Sequence, residues 1–232
     1  ECESLSARLL LLHFRAVRAA LADDAMRALE RSGEPICAVL LSIPHTLGDL
    51  DFVLDRLRDR APGTSLRFIA VGPRPSPPEL EELRSAGVEL SLWEPFDDSA
   101  LRFVLNAAAS DPGSGEHRKV QRAPTAMLAR VFSGAGQKAA LVYSLSEAGA
   151  FLETLRPTSS KGHVRVELPL PTGTVTLEAE VVNTNVPGNL HKPHQPMGMG
   201  VVFADVPEET RRNIAEIVEA LAENFYIDKA DL

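Results

Sequence analysis

The feature that most constrains the fold is a change in hydrophobic periodicity halfway along the 232-residue chain. Residues 108–115 form a small, polar segment rich in Pro and Gly, and the patterns on its two sides differ in kind. Such a segment between two periodic regions is typical of an interdomain linker, and each half is long enough for a core of its own. We therefore expect an N-terminal domain over residues 1–110, a linker over 111–117 and a C-terminal domain over 118–232.

The first half alternates helical patterns with near-continuous apolar runs, which are typical of strands buried on both faces of a parallel sheet. This predicts a doubly wound α/β domain with strands at Cys37–Ser42, Leu66–Val71 and Val88–Trp93. The N-terminus is ambiguous. Residues 7–14 are either a strand followed by a helix over 15–31 or already the first helix, in which case the opening strand lies upstream.

The second half alternates apolar and polar residues, as expected for antiparallel strands with one buried face. His163–Leu170 and Thr174–Val181, joined by a turn at residues 171–173, predict a hairpin. Further short strands are expected at residues 127–132, 139–144 and 198–204, so the second domain is predicted as an all-β barrel or sandwich. A closing C-terminal helix is expected to pack on it through the stripe Ile214, Val218, Leu221 and Phe225.

Composition excludes several classes of protein. The longest aliphatic run, Leu9–Leu12, is far shorter than the ~20 residues of a membrane span. A net charge of −8 argues against binding a nucleic acid polymer. Cys2 and Cys37 form no disulfide framework, so a cytoplasmic location is expected. Neither a serine–histidine spacing nor a glycine-rich phosphate loop occurs, so we expect no enzyme, no catalytic residue, no metal and no cofactor.

The acidic charge does not exclude a small anionic ligand held by a few arginines, and two short segments carry side chains suited to one, although the same residues also fit a solvated charged segment and an ordinary strand end. Arg118 and Arg122 lie just before the first predicted barrel strand, and Ser144, Ser146 and Gly149 follow a later one. A guanidinium group can form paired hydrogen bonds with phosphate or with guanine O6 and N7, and it can stack on a purine. A serine hydroxyl adds a hydrogen bond, and glycine permits a tight or positive-φ turn close to a ligand.

These segments resemble the motifs of the PilZ family of cyclic di-GMP receptors. Residues 118–122 match RxxxR and residues 144–149 match [D/N]xSxxG, while residues 198–203 resemble the last strand of the family barrel. The resemblance implies a PilZ-like antiparallel β-barrel that binds cyclic di-GMP through Arg118, Arg122, Ser144, Ser146 and Gly149. It further implies a bacterial signal-transduction adaptor in which ligand binding orders residues 113–122.

One position departs from this pattern, because Ser144 stands where the family has Asp or Asn. A carboxylate or amide would accept from guanine N1 and N2, whereas serine makes one such bond at best. Losing a charge-assisted bond costs ~1.5 to 3 kcal/mol, or roughly ten- to a hundred-fold in affinity. The alternative is therefore a PilZ-like scaffold that acts through protein contacts without binding the nucleotide.

The first half resembles a receiver domain of the response-regulator type. Residues 39–44 are similar to the strand that ends in the phospho-accepting aspartate, and residues 93–96 are similar to the segment that presents a lysine before proline. Here Ser42 and Glu94 replace these two reactive residues. The resemblance implies a pseudo-receiver that docks an unidentified protein partner or forms a homodimer.

Overall fold

The computed structural model describes residues 2–43, 49–61, 66–110, 120–134, 136–187 and 194–227. The chain divides into two compact units. The first contains residues 1–116 together with 223–232, and the second contains residues 117–222. The predicted domain limits at residues 110 and 118 stay predictions, and the last ten residues group with the first unit instead of the second.

The first unit is built around a three-stranded parallel sheet in the order β1–β2–β3. Its elements, in chain order, are α1 (Cys2–Leu11), α2 (Ala22–Arg31), β1 (Ala38–Ser42), α3 (Leu50–Asp59), β2 (Arg67–Gly72), α4 (Pro77–Ser85), β3 (Leu90–Trp93) and α5 (Asp98–Ala108). This confirms the predicted parallel α/β class. The structure also settles the N-terminal ambiguity, because residues 7–11 are helical and the second helix begins at Ala22 instead of residue 15.

Local sequence explains where these helices begin and end. The Ser76 backbone N–H donates to Glu79 Oε2 at 2.7 Å, which forms a capping box with Pro77 in the first turn of α4. The chain leaves α4 through Gly87, whose φ of +79° is a conformation that favours glycine. At α5, Asp97 Oδ1 accepts from the Ala100 N–H at 2.7 Å.

The receiver resemblance depends on the residues that follow the strands. Ser42 is the last residue of β1, and Glu94 directly follows β3. Because the strands are parallel, both residues lie at the end of the sheet where the strands have their carboxyl ends. Both residues are exposed. A hydroxyl and a carboxylate at these positions lack the nucleophile and the cation of an aspartyl phosphorylation site. The pseudo-receiver role stays a prediction.

The second unit is a closed antiparallel barrel, which is one of the two all-β forms that the alternating pattern predicts and the form that the PilZ resemblance implies. Its elements are β4 (Ala123–Pro124), β5 (Leu128–Ser133), β6 (Gly136–Ser146), β7 (Gly149–Glu153), β8 (His163–Leu170), β9 (Gly173–Asn185), β10 (Gly198–Ala204) and α6 (Glu208–Ala222). The strand order is β4–β6–β5–β8–β9–β10–β7, and β6 also pairs with β7. Six strands therefore form the closed ring, and the two-residue β4 adds to β6 from outside it.

The long strand β6 closes the barrel because its two halves have different partners. Residues 136–141 pair with β5, and residues 141–146 pair with β7. The predicted hairpin is also present, with β8 and β9 in register from His163↔Glu180 to Leu170↔Gly173. Gly173 has a φ of +129°, which explains the glycine in this turn.

Helix α6 closes the unit by packing on β4 and β6. It buries Ile214, Val218 and Ala222. The predicted stripe is therefore correct at Ile214 and Val218 but wrong at Phe225, because the helix ends at Ala222. Phe225 instead lies in the first unit, with its ring centroid 6.2 Å from that of Phe103. Within the described residues, no helix is both long and apolar enough to span a membrane.

The barrel interior provides a test of the fold. Leu168 on β8 is fully buried, whereas Leu128 on β5 is 63% exposed. We expect Leu168→Ala to lower the free energy of unfolding of the barrel by about 2–5 kcal/mol, since it leaves a cavity. Leu128→Ala is the matched control and should change it by less than about 0.5 kcal/mol.

The measurement is denaturant unfolding followed by far-ultraviolet circular dichroism. Fluorescence would report mainly on the other unit, because the single tryptophan, Trp93, lies on β3. Equal loss of stability in the two variants would contradict the assignment of the interior.

Candidate ligand-binding site

The segment from Ser144 to Gly149 forms the end of β6, a tight turn and the start of β7. Ser146 pairs with Gly149 across the turn, and Ser146 Oγ donates to the Gly149 carbonyl oxygen at 3.0 Å. The carbonyl of Ala148 in the turn accepts from the Phe203 N–H at 3.0 Å. The turn is therefore held both by its own hydrogen bond and by β10.

Gly149 is needed for strand packing. A Cβ built at this position would lie 2.2 Å from the Val201 carbonyl oxygen of β10, which is shorter than any stable contact. Gly149 is not among the residues with positive φ, so a left-handed turn conformation is not the reason for glycine here. Of the two predicted reasons for glycine here, the positive-φ conformation is wrong, whereas the tight turn is present. The close approach in the structure is to a neighbouring strand.

Strand alternation assigns the proposed site residues to the outer face of the barrel. Leu145, Ala150 and Val201 point inward and are at most 1% exposed. Their neighbours along the strands, among them Ser144, Ser146 and Gly149, therefore face outward. Because Ala123 pairs with Leu145, the antiparallel register carries Arg122 toward Ser146.

The structure thus brings four of the five predicted residues into one region. Ser144 and Ser146 lie on β6, Gly149 begins the adjacent β7, and Arg122 directly precedes β4. Arg118 lies outside the described residues. Arg122 is half-buried. Ser144 and Ser146 are 4% and 1% exposed, so their hydroxyls are covered although they lie on the outer face.

Sequence reasoning missed part of the same face. Gly149 pairs with Val202 of β10, and Val202 pairs with Glu180 of β9. Both side chains are exposed. They continue the row of paired positions that runs across the strands from Ser146 to Gly149. The alternation of β9 and β10 indicates that these residues point outward, but only the pairing of the strands makes them neighbours of Gly149.

The surface offers both hydrogen-bond donors and acceptors. Arg122 contributes a cation with several N–H donors, and two serines contribute hydroxyls. Glu147 in the turn and Glu180 contribute carboxylates, so the surface carries both signs of charge. Within the part of the chain that the structure describes, no cluster of His, Cys, Asp and Glu is suited to hold a metal ion.

A comparison with protein families finds one match, which falls on the second unit. The family model described as the PilZ domain matches residues 116–220. A search of curated protein sequences found no match.

Three solved structures share low similarity with the chain. A structure of Bacillus subtilis "Inhibitor of motility (MotI/DgrA)" has 16% identity and a TM-score of 0.40, covering 47% of this chain and 52% of the other. The "PilZ domain with c-di-GMP of YcgR" from Escherichia coli has 17% identity and a TM-score of 0.36, covering 47% and 93%. The K. pneumonia "MrkH-c-di-GMP complex" has 16% identity and a TM-score of 0.37, covering 47% and 52%. The matched region is therefore about half of the first and the third of these chains.

The close approach at Gly149 gives a prediction. We expect Gly149→Ala to destabilise the barrel by about 1–3 kcal/mol, because its methyl group would force β7 and β10 apart. Gly136→Ala is the matched control on β6, since the nearest atom to its Cβ is the Ser133 carbonyl oxygen at 3.5 Å. Thermal unfolding of both variants checks this, and a Gly149→Ala variant as stable as Gly136→Ala would refute the packing argument.

Proposed function

Residues 116–220 are a PilZ domain, and from this premise we propose that the chain is a receptor for cyclic di-GMP that signals through protein–protein contacts. The observation that carries the proposal is the register that brings Arg122 toward Ser146 and Gly149 on one outer surface of the barrel. Two motifs that are 22 residues apart in sequence, from Arg122 to Ser144, thereby meet at one place.

The chemistry of the ligand matches these groups. Cyclic di-GMP carries two phosphates and two guanines, and each guanine presents O6 and N7 as a pair of acceptors. Arg122, joined by Arg118, would donate paired N–H bonds to phosphate oxygens or to a guanine edge and would stack on a purine. Ser144 and Ser146 would supply hydroxyl hydrogen bonds. At Gly149, the strand beneath the ligand would present only backbone atoms.

Binding at this surface requires a rearrangement. Because Ser144 and Ser146 are almost fully covered, a ligand reaches their hydroxyls only when the covering atoms move aside. Ser146 Oγ would then exchange its bond to the Gly149 carbonyl for one to the ligand. This exchange links ligand binding to a local conformational change, which a receptor needs in order to alter its contacts with a protein partner.

The proposal assigns no catalysis to the chain. The five residues offer donors to an anionic ligand, and no nucleophile with an activating base stands among them. Cyclic di-GMP would act as a bound signal in the cytoplasm, and the N-terminal unit, interpreted as a pseudo-receiver, would offer the surface for a protein partner or a second copy.

A second candidate function is a ligand-independent scaffold. It is favoured by Ser144 in place of Asp or Asn, by the burial of both serines, and by the Glu147 carboxylate in the adjacent turn, which would repel a phosphate. In this case the barrel would act only through its protein surfaces.

Titration calorimetry with cyclic di-GMP separates these two functions. We expect measurable heat with the unaltered chain, and at least a ten-fold loss of affinity in Arg122→Ala because charge-assisted hydrogen bonds are removed. Arg165→Ala is the matched control, since Arg165 lies on β8 with its guanidinium 4.7 Å from the Phe132 ring. Its affinity should equal that of the unaltered chain. A flat trace at high ligand concentration would favour the scaffold.

Substitution at position 144 tests the guanine contact. We expect Ser144→Asp to bind cyclic di-GMP roughly ten- to a hundred-fold more tightly, because a carboxylate accepts from guanine N1 and N2 in a charge-assisted bond. Ser144→Asn should gain less, since its hydrogen bond is neutral. Calorimetry measures both affinities, and circular dichroism verifies that the buried charge leaves the barrel folded. An affinity unchanged in both folded variants would remove Ser144 from the site.

A further inference from the structure

The C-terminal segment Asn224–Ile227 contacts the edge of the sheet of the first unit through a single β-bridge. It lies beside β3 in the antiparallel direction, with Leu90 and Tyr226 as bridge partners. The Ser91 N–H donates to the Phe225 carbonyl oxygen at 3.0 Å, and the Ile227 N–H donates to the Glu89 carbonyl oxygen at 3.0 Å. The edge strand β3 therefore forms main-chain hydrogen bonds with a segment more than 130 residues away in sequence.

Alternate side chains of this segment anchor it. The Phe225 ring meets Phe103 of α5 edge to face, with centroids 6.2 Å apart. Ile227, two residues on, is 3% exposed and belongs to the core cluster that contains Leu66 and Val88. The segment therefore has two apolar contacts with the unit, one at Phe225 and one at Ile227.

Polar side chains of the first unit hold the backbone of the segment. Ser91 Oγ donates to the Asn224 carbonyl oxygen at 3.1 Å, and Arg84 Nε donates to the Ile227 carbonyl oxygen at 3.2 Å. Arg74 reaches the Asn224 side-chain oxygen at 3.2 Å. Three donors thus converge on the two ends of a four-residue peptide. This combination of main-chain pairing with two apolar anchors is the pattern by which proteins bind an extended peptide.

We propose that the β3 edge, with Arg74, Arg84 and Phe103, is a reversible peptide-docking groove whose occupant is the C-terminal segment of the same chain. The segment is joined to α6 by a single residue, Glu223, which is exposed. Its attachment to the chain gives it a high effective concentration at the groove, so even weak docking keeps the groove filled. When the segment leaves, the β3 edge offers the same donors and acceptors to an extended peptide of similar sequence.

The docked segment directly follows helix α6, which packs on β4 and β6 of the barrel unit. Release of the segment leaves residues 224–227 without their hydrogen bonds to β3. The inference concerns the N-terminal unit and stands whether or not the barrel binds a nucleotide.

Cleavage of the full-length chain tests the groove directly. A flexible insertion carrying a protease site is placed after Glu223, and the folded protein is cut there. We expect the cut protein to bind a fluorescent synthetic peptide of residues 223–232 reversibly, with the peptide displacing the C-terminal fragment as its concentration rises. The matched control peptide carries Ile227→Asp and should bind at least ten-fold more weakly, because it would bury a charge. The uncut chain should take up the peptide at least ten-fold more weakly than the cut chain, since its groove is filled in cis.

Several outcomes would overturn the proposal. One is a fragment that leaves only when the protein unfolds, which would make the segment a permanent part of the core. Another is equal uptake of the two peptides, which would mean that Ile227 does not anchor the segment. A third is an uncut chain that elutes as a dimer which Ile227→Asp converts to a monomer, because the segment would then dock on a second copy. Circular dichroism of the cut protein establishes that it remains folded.

Discussion

The closure of the barrel at β6, β7 and β10 is the constraint on which the candidate site depends. The strand β6 pairs with β5 through its first half and with β7 through its second half, and β7 then pairs with β10. The last step requires Gly149, because any Cβ there would meet the Val201 carbonyl at 2.2 Å. The glycine of the second motif therefore contributes first to the fold and, through the fold, to the shape of the surface beside it.

This closure also explains why the proposed ligand residues gather on one face. The β6–β7 turn is fixed by the Ser146 hydroxyl and by the Phe203 N–H, which limits how the outward-facing side chains can move. The pairing of Ala123 with Leu145 then carries Arg122 to the same place. Because both serines are covered, a ligand would reach their hydroxyls only through a conformational change.

The two units are linked by the chain in two places, once near residue 116 and again at residue 222. Because of the second crossing, residues 224–227 contact the first unit instead of continuing helix α6. An apolar position four residues after Leu221 is typical of a further turn of an amphipathic helix, yet Phe225 packs against Phe103 in a strand-like segment. Helical periodicity identifies α6 correctly as far as Ala222, and a strand edge in the other unit determines the conformation of residues 224–227.

Local sequence determines much of this molecule. Alternation defines β8 at His163–Leu170 with its observed limits, Gly173 marks the turn, and near-continuous apolar runs locate the three parallel strands within one or two residues. The motifs at residues 118–122, 144–149 and 198–203 also predict the PilZ domain that the family model matches at residues 116–220. These features follow from steric and hydrophobic preferences that act over a few neighbouring residues.

Other features depend on which strands become neighbours, and only the tertiary structure decides that. Val202 and Glu180 join the row of Ser146 because β10 lies between β7 and β9, and the serines are buried because other parts of the chain cover them. Gly149 is required by a carbonyl more than fifty residues away, and Ile227 completes a core formed mainly by residues before 90. Such contacts arise from long-range pairing, whose energy depends on both partners, so neither local segment specifies them by itself.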